Sequence, residues 1–425
     1  MSELINKDQA YVWHPFTQVQ TSRPPLPIVS AKDALLFAED GKQYIDCNSA
    51  WWTILHGHGN AHIGQAISAQ YQTLDHTVFA GVTHPKAAEV AERIVQLLPR
   101  NFEKVFYSDN GSTATEVAIK MSLQYWYNKG NAKSKFLAIE GAYHGDTFGA
   151  MSVGERDLFN APFEHLFFDV DYLPFPTAEN WEVVKAQAAA LLATNEYAGF
   201  IFEPLVQGAS GMKMYDKNWL NELIGIAKQN AVLTIADEVM TGFYRLGTLF
   251  AIDQVENKPD IICFSKGITG GVLPVGLTVT SNEIHDVFLS DKFARGFLHG
   301  HSFTGNPIIC AAIAASLDLL ALPETKDKIA SICNWQKGYA EKFKNHPKLK
   351  DVRLAGTILA FEIKVKDKGS YFSDIRNIAY HYFIDHGMLI RPLGNVFFIN
   401  APYCTTKEQF DEIYTVVESF LDQLP

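Results

Sequence analysis

The chain from about residue 60 to residue 281 alternates helix-length stretches with short runs that are apolar at consecutive positions. These runs are KVFYS (104–108), KFLAIE (135–140), AGFIFEPL (198–205), AVLTIADEV (231–239), DIICFSK (260–266) and VGLTVTS (275–281). Runs that are hydrophobic on both faces and lie between helices are typical of buried strands in a mostly parallel sheet. The pattern therefore predicts an α/β fold.

The pattern changes after Pro307. A long apolar helix, IICAAIAASLDLLAL, and a further helical stretch are followed by two strand-like pieces, TILAFEIKV and VFFINAPY, and by a terminal helix. This order predicts a separate, smaller α+β domain. The N-terminal 60 residues carry their own strand-turn-strand signal, ALLFAEDGKQYIDC, and we expect them to pack with the smaller domain. The predicted division is 1–60 for this segment, 61–307 for the large domain and 308–425 for the small one.

Composition narrows the class of partner. The 425 residues include 36 Lys+Arg and 47 Asp+Glu, which gives a net charge of −11, and 47% are hydrophobic, as in a folded globule. An acidic chain without a long basic run argues against nucleic acid and membrane as partners and favours small molecules. The N-terminal sequence lacks the features of a signal peptide, and no apolar stretch is long enough to span a bilayer. We therefore expect a cytoplasmic protein.

The cysteines point to the same compartment. There are five, which is an odd number, and none forms a C-x-x-C pair: Cys47, Cys263, Cys310, Cys333 and Cys404. This usage argues against a disulfide framework and against a thiolate zinc site. We expect reduced, mostly buried thiols.

Small residues follow the first of the predicted strands. Asp109, Asn110, Gly111, Ser112 and Thr113 come directly before a helical stretch. The free backbone N–H groups and the positive dipole end of a helix N-terminus bind phosphate. Ser112 could equally cap the helix, so this feature alone indicates phosphate weakly.

Two later strands end in charged side chains. The run AVLTIADEV ends in Asp237, Glu238 and Val239, with Asp237 and Val239 on one face, and the run DIICFSK ends in Lys266. Taken singly, the first fits an ordinary salt bridge and the second a solvated lysine. Ligands of parallel sheets sit beyond the carboxyl ends of the strands, where all three features would meet. A phosphate cradle, a carboxylate and a lysine match the needs of pyridoxal phosphate, namely a phosphate anchor, a partner for the pyridine nitrogen and an amine for the aldehyde.

Six stretches in the same order carry a family resemblance. They are SDNGSTATEVAIK (108–120), GAYHGDTFGAMS (141–152), EPLVQGASGM (203–212), ADEVMTGFYRLG (236–247), SKGITGG (265–271) and HSFTGNP (301–307). In these the chain resembles the class III (omega) aminotransferases. The resemblance implies the fold type I of pyridoxal-phosphate-dependent transferases and pyridoxal phosphate as the cofactor, with no metal.

The same resemblance implies roles around the cofactor. Lys266 would bind the aldehyde and move the reaction's proton, and Asp237 would pair with the pyridine nitrogen. Val239 would lie under one ring face and Tyr143 on the other, and Lys266, Asp237 and Tyr143 would be the catalytic residues. The phosphate would be held by Gly111 and Ser112 and, across the interface of a homodimer, by His301 and Ser302 of the neighbouring subunit. Polar residues further from the ring would be Arg245, Glu203 and Asp146.

Two further segments, WHPFTQ (13–18) and AWWTILHGHGNAHIGQAI (50–67), resemble family members that aminate 8-amino-7-oxononanoate in biotin synthesis by a ping-pong mechanism. The implied substrate-binding residues are Phe16, Trp51, Tyr143, Lys266, Gly300, Arg391 and Phe398. Arg391 would hold the substrate carboxylate, since an arginine fork binds both oxygens in one plane. We expect Trp52 to pack in the core. Phe16 and Phe398 stand where tyrosine is common, which leaves the amino donor open between S-adenosylmethionine and lysine.

Other functions remain to be weighed. His56, His58 and His62, or His144 with Asp146, could be read as metal ligands of a hydrolase, although His-Gly-His does not place two imidazoles on one helix face. A mutase or decarboxylase would share much of the cofactor chemistry. The main alternative is an omega-aminotransferase that acts on ornithine or 4-aminobutyrate.

Overall fold

The computed structural model describes residues 2–156, 159–365 and 375–424. The strands in these ranges are β1 (Ile28–Lys32), β2 (Leu35–Ala38), β3 (Gln43–Asp46), β4 (Lys104–Ser108), β5 (Lys135–Ile139), β6 (Val170–Leu173), β7 (Tyr197–Phe202), β8 (Val206–Gln207), β9 (Lys213–Met214), β10 (Leu233–Asp237), β11 (Ile261–Phe264), β12 (Gly276–Thr280), β13 (Leu349–Ala355), β14 (Ile358–Ile363), β15 (Met388–Leu389) and β16 (Val396–Ile399).

The α-helices are α1 (Glu3–Tyr11), α2 (Ser49–Trp52, a single distorted turn), α3 (Ala61–Thr73), α4 (Pro85–Leu97), α5 (Gly111–Asn128), α6 (Phe148–Val153), α7 (Trp181–Leu192), α8 (Lys217–Gln229), α9 (Asn282–Asp286), α10 (Pro307–Ala321), α11 (Pro323–Phe343), α12 (Ile375–Asp385) and α13 (Lys407–Gln423). Short 3-10 turns lie at Ala161–Leu166, Ala251–Gln254, Lys266–Thr269 and Phe293–Arg295.

A seven-stranded sheet in the order β4-β12-β11-β10-β7-β5-β6 forms the centre of the fold. All six predicted strands are in it, which confirms the α/β prediction. The run of strands from β11 to β6 is parallel, whereas β12 is antiparallel to both of its neighbours. Every residue of β7, β10 and β11 is buried, as expected for strands covered by helices on both faces.

Three smaller sheets complete the fold. The predicted strand-turn-strand forms β2 and β3, which join β1 and β15 in a four-stranded sheet. β13, β14 and β16 form an antiparallel sheet, and β8 and β9 form a short pair. β3 and β15 are parallel, so backbone hydrogen bonds tie the N-terminal segment to the C-terminal part of the chain. The division into three domains stays a prediction.

Helix α10 is the most apolar helix of the fold and packs against α3 and α4. Asn306 caps its start by accepting hydrogen bonds from the amides of Ile308 and Ile309. No single helix in the described ranges is long and apolar enough to cross a membrane. By length and composition alone, α10 and α11 meet that test as a pair, and the two are bent by 70° relative to each other.

Candidate active site

Lys266 follows β11 and stands at the wall of a cavity of about 390 Å³. Its φ of 46° is left-handed, a rare conformation for a residue with a side chain and one that often marks a functional position. Its Nζ lies 4.7 Å from the centre of the Trp52 ring. Burial lowers the pKa of the Lys266 amine, against the attraction of the carboxylates of Asp237 and Glu203. A lowered pKa keeps more of the amine neutral and nucleophilic.

Asp237 ends the neighbouring parallel strand, β10, and lines the same cavity. Its side chain is buried, and its Oδ2 lies 2.7 Å from Nδ1 of His144. Its Oδ1 accepts a hydrogen bond of 3.0 Å from the amide of Val239. Within the described part of the chain, Nε2 of His144 has no hydrogen-bond partner. The carboxylate is therefore fixed in orientation by two donors.

The start of α5 forms the far end of this cavity. The amide of Thr113 donates to the Asn110 side chain, so the first amides of the helix, at Gly111 and Ser112, remain available to a ligand. Gly145 packs so closely here, at φ 124°, that a Cβ would lie 2.1 Å from Oγ of Ser112. The glycine keeps this wall of the cavity open.

Glu203 supports the loop that carries Tyr143. Its two carboxylate oxygens accept hydrogen bonds from the amides of Tyr143, at 3.1 Å, and Gly208, at 2.9 Å. Burial raises the pKa of Glu203 to about 7, and the nearby Asp237 carboxylate adds to the shift. Burial also raises the pKa of the Tyr143 hydroxyl, with a further contribution from Asp146, which faces it. Tyr143 therefore stays a neutral hydroxyl beside Lys266.

A second cavity, of about 530 Å³, is also lined by Lys266, Tyr143 and Trp52 and continues away from the sheet. Its walls are largely aromatic: Phe16, Trp51, Trp52, Tyr143, Phe159 and Phe163. The ring of Phe16 lies 5.5 Å from Trp51 and 6.1 Å from Phe159. Such a surface suits an extended aliphatic chain.

Arg391 lies behind this aromatic wall. Its guanidinium is 4.6 Å from the centre of the Trp51 ring, and its backbone amide donates to Oδ1 of Asn48 at 2.6 Å. It lines a third cavity, of about 360 Å³, which has Phe16 in common with the aromatic cavity. No carboxylate in the described ranges lies within ion-pairing distance of the Arg391 guanidinium.

Phe398 is not among the residues that line these three cavities, so its contact with the substrate stays a prediction. Its side chain is 1% exposed and packs edge-on against Trp52, with the ring centres 5.8 Å apart. All four residues of β16 are buried. Trp52 is buried as predicted. It also contacts Lys266, which the sequence did not predict.

The segment with Gly300, His301 and Ser302 does not line the cavities around Lys266 in its own chain. Gly300 and Ser302 are exposed, and Nδ1 of His301 lies 3.1 Å from the Asp109 carboxylate. A contact of this segment with the cofactor phosphate stays a prediction that requires a second copy of the chain.

Arg245 is buried away from these cavities and holds three chain segments together. Its guanidinium donates to the carbonyls of Ile54 and Ala401 and to the Asn400 side chain. Its role is therefore to fix the backbone around the site.

Comparison with known proteins decides the family. The family model described as aminotransferase class-III matches residues 16–421. The chain belongs to the class III aminotransferases. A curated relative from Synechococcus elongatus, named adenosylmethionine-8-amino-7-oxononanoate aminotransferase, is 45% identical over 97% of this chain and 99% of its own.

Two solved structures show the same fold type I architecture. The adenosylmethionine-8-amino-7-oxononanoate aminotransferase of Methanocaldococcus jannaschii is 32% identical, covers 98% of both chains and has a TM-score of 0.92. An amine transaminase from an uncultivated Pseudomonas species, in its PLP-bound form, is 26% identical, covers 98% of this chain and 99% of its own, and has a TM-score of 0.89.

The cavity of this class III aminotransferase fits pyridoxal phosphate. The lysine amine, the fixed carboxylate and the amides of Gly111 and Ser112 all line one space. Val239 packs so closely on Gly111 that a Cβ there would lie 2.9 Å from Cγ1 of Val239. The apolar side chain of Val239 and the amides that would hold the phosphate are therefore adjacent.

Sequence reasoning missed several of these residues. The sequence suggests His144 only as a metal ligand, although it stands next to Tyr143 in GAYHGD. Its contact with Asp237 arises because β5 and β10 end on either side of β7. Phe159 and Phe163 gave no signal, because they lie in a loop and a 3-10 turn without periodicity.

The three histidines of the N-terminal motif have separate partners. The ring of His56 bonds to Oγ of Ser316, that of His58 to Asp46 and that of His62 to Asp318. The described residues contain no group of three or more His, Cys, Asp or Glu that could hold a metal ion. These separate partners indicate that each of the three histidines makes a structural contact.

His56 gives this aminotransferase a stability that depends on pH. Burial lowers the pKa of His56 to about 4, so between pH 4 and 6.5 the unfolded chain binds a proton that the folded chain does not. Stability contributed by neutral His56 is present above pH 6.5 and is lost as the pH falls. We expect wild type to lose about 2 kcal/mol more than His56→Gln between pH 7.5 and 5.

Urea unfolding of both proteins at the two pH values measures this difference. Wild type is the reference, and the difference between the two profiles isolates the contribution of His56. Parallel profiles for wild type and His56→Gln would contradict the expectation.

Proposed function

We propose that this chain transfers an amino group from S-adenosylmethionine to 8-amino-7-oxononanoate, giving 7,8-diaminononanoate in biotin biosynthesis. The observation that carries the proposal is the order of two neighbouring cavities: the aromatic cavity begins at Lys266 and reaches Phe16 and Trp51, and the cavity of Arg391 lies on the other side of these two rings. An acceptor with a carbonyl near the lysine, a methylene chain along the aromatic wall and a terminal carboxylate at the arginine matches this order of surfaces. The near full-length likeness to relatives with that printed name supports the same reaction.

When bound, the cofactor supplies an aldehyde carbon, which takes up and later releases the amino group. It also supplies a ring that withdraws electrons from the substrate carbon. Nζ of Lys266 would bind the aldehyde with loss of water and, once the substrate amine displaces it, would remove and return the proton at the substrate carbon. Asp237 holds the proton on the pyridine nitrogen, and His144 orients the Asp237 carboxylate. The charge on Asp237 would keep that nitrogen protonated, and the positive charge of the ring would lower the barrier while negative charge builds up on the substrate carbon.

The remaining residues bind and orient. The amides of Gly111 and Ser112 hold the phosphate, Val239 packs on one ring face and Tyr143 on the other. Trp52 covers the lysine and excludes water from it. In a ping-pong reaction the donor and the acceptor occupy the same cavity in turn, so Phe16, Trp51 and Tyr143 contact both.

The active unit we propose is a homodimer in which His301 and Ser302 of one subunit approach the cofactor phosphate of the other. The exposure of Ser302, and its absence from the cavity walls of its own chain, support this arrangement. We also propose that the protein acts in the cytoplasm, since all five cysteines are free.

The reaction is tested by product identification. The holoenzyme is incubated with 8-amino-7-oxononanoate and either S-adenosylmethionine or lysine, and 7,8-diaminononanoate is identified by its mass. We expect the product with S-adenosylmethionine and none with lysine. Product from lysine alone would overturn the donor but keep the acceptor. No product from either, with turnover of ornithine or 4-aminobutyrate, would overturn the proposed function.

Arg391 provides a test of the carboxylate contact. Arg391→Met should raise the KM for 8-amino-7-oxononanoate by about 10- to 100-fold, because a charge-assisted hydrogen bond contributes about 1.5–3 kcal/mol. The absorbance spectrum of the bound cofactor should not change. Arg391→Lys is the matched control and should recover only part of the affinity, since it keeps the charge without the planar fork. An unchanged KM in Arg391→Met would show that the carboxylate binds elsewhere.

A further inference from the structure

The turn that carries the two tryptophans has an unusual backbone. Ser49, Ala50 and Trp52 have φ values of 52°, 57° and 62°, so three residues with side chains adopt the left-handed region within four positions. Such conformations cost free energy and persist only where surrounding contacts impose them. The turn places Trp51 on the aromatic cavity and Trp52 on Lys266. Contacts elsewhere in the fold must therefore stabilise this backbone conformation.

Asp46, at the end of β3, provides that contact. Its fully buried carboxylate accepts hydrogen bonds from the amides of Asn48, at 3.2 Å, and Ala50, at 2.6 Å, and its Oδ2 lies 2.9 Å from Nε2 of His58. With Nε2 as the protonated ring nitrogen, His58 donates to the carboxylate that already accepts from these two amides. His58 is itself fixed, because its backbone N–H and C=O both pair with Asp33. The histidine is the side-chain partner of the Asp46 carboxylate.

Asp46 and Asn48 also fix the position of Arg391. β3 pairs in parallel with β15, with Asp46 opposite Leu389, two positions before Arg391. Oδ1 of Asn48 accepts a hydrogen bond from the Arg391 amide at 2.6 Å, and the Arg391 guanidinium lies over the ring of Trp51 at 4.6 Å. A shift of the turn therefore moves both partners of this stack.

We propose that Asp46 and His58 are a positioning pair that sets Trp51 against Arg391 and thereby determines the affinity for the carboxylate end of the substrate. The inference rests on the proposed function for the identity of that end. Neither residue lines the cavities around Lys266, so the pair acts through the turn and not by contact with the reactants. Trp52 is held separately, because its ring packs on Phe398 and Gly208, so loss of the pair should affect substrate binding more than the cofactor chemistry.

The test compares two substitutions of His58 in the holoenzyme. His58→Leu removes the donor to Asp46, and His58→Gln keeps an N–H at a similar reach. We expect His58→Leu to raise the KM for 8-amino-7-oxononanoate about tenfold, with kcat within threefold of wild type and an unchanged cofactor spectrum. His58→Gln should stay within about twofold of the wild-type KM. His62→Leu, which removes an exposed histidine of the same segment, should leave the KM unchanged.

A double variant shows whether the effect passes through Trp51. In a Trp51→Leu background, His58→Leu should raise the KM no further, because the stack is already lost. If His58→Leu does not fold, His58→Asn takes its place, since its shorter amide does not reach Asp46.

Each outcome is decisive. A wild-type KM in His58→Leu overturns the inference, as do additive effects with Trp51→Leu or an equal loss of kcat and cofactor. If wild type does not aminate 8-amino-7-oxononanoate, the proposed function fails by itself, and the same comparison is made with the carboxylate-bearing acceptor that wild type converts best.

Discussion

Replacing Lys266 with alanine is expected to lower kcat for amino transfer by about 10⁴-fold or more, because one side chain both binds the cofactor aldehyde and moves the proton. Lys266 stands at a strand end in the cavity, with a left-handed backbone. Burial there lowers the pKa of its amine. Single-turnover kinetics measure the chemical step. Borohydride reduction followed by peptide mapping should place the cofactor on Lys266 in wild type.

Lys133 is the matched control for this substitution. It is also buried with a lowered pKa, and its Nζ lies 3.7 Å from the ring of Trp126, away from the cavity. Lys133→Met should keep the wild-type rate. A reduced cofactor adduct on a lysine other than Lys266, or rapid turnover by Lys266→Ala, would contradict the assignment.

Asp237→Asn should keep the fold and the cofactor but lower kcat by about 10²–10³-fold, since the lost charge matters most when negative charge develops on the substrate. The single asparagine oxygen can still accept the hydrogen bond from His144, whereas the hydrogen bond from the Val239 amide to the other oxygen is lost. Cofactor absorbance at fixed protein concentration measures occupancy, and steady-state kinetics measure the rate.

Glu203→Gln is the control for Asp237→Asn. It tests whether the loss of rate comes from the charge of Asp237 or from replacing any buried carboxyl group at this site. Glu203 is buried nearby, and with a pKa of about 7 much of it is uncharged at neutral pH. We expect its substitution to change kcat by less than about tenfold. Near-wild-type turnover in a folded Asp237→Asn, or an equal loss in both variants, would refute the proposed role of the Asp237 charge.

The central sheet could be predicted from sequence because its strands are apolar on both faces, and the residues at their ends follow directly from those runs. β6 and β13 were not predicted. β13 (LKDVRLA) mixes charged and apolar positions, and much of it is only partly buried. Local patterns predict elements well where burial is complete and poorly where it is partial.

The substrate side of the site was harder to predict for a different reason. Phe16, Trp51 and Arg391 come together as the resemblance implied, whereas Phe398 lies one layer below the cavity surface. A run of four buried residues does not reveal which of its side chains faces a ligand. That distinction depends on Trp52, whose position is set by a left-handed backbone that sequence periodicity does not encode.

The pairing of β3 with β15 also determines when the site forms during synthesis. Asn48 and Arg391 are 343 residues apart along the chain, yet they share a hydrogen bond. At about 5–20 residues per second, a ribosome needs roughly 20–70 s to make the intervening segment. During that time the strand that leads into the tryptophan turn has one unpaired edge and waits for its neighbour. The lysine can be in place early, but the wall that selects the substrate is completed only when almost the whole chain has been made.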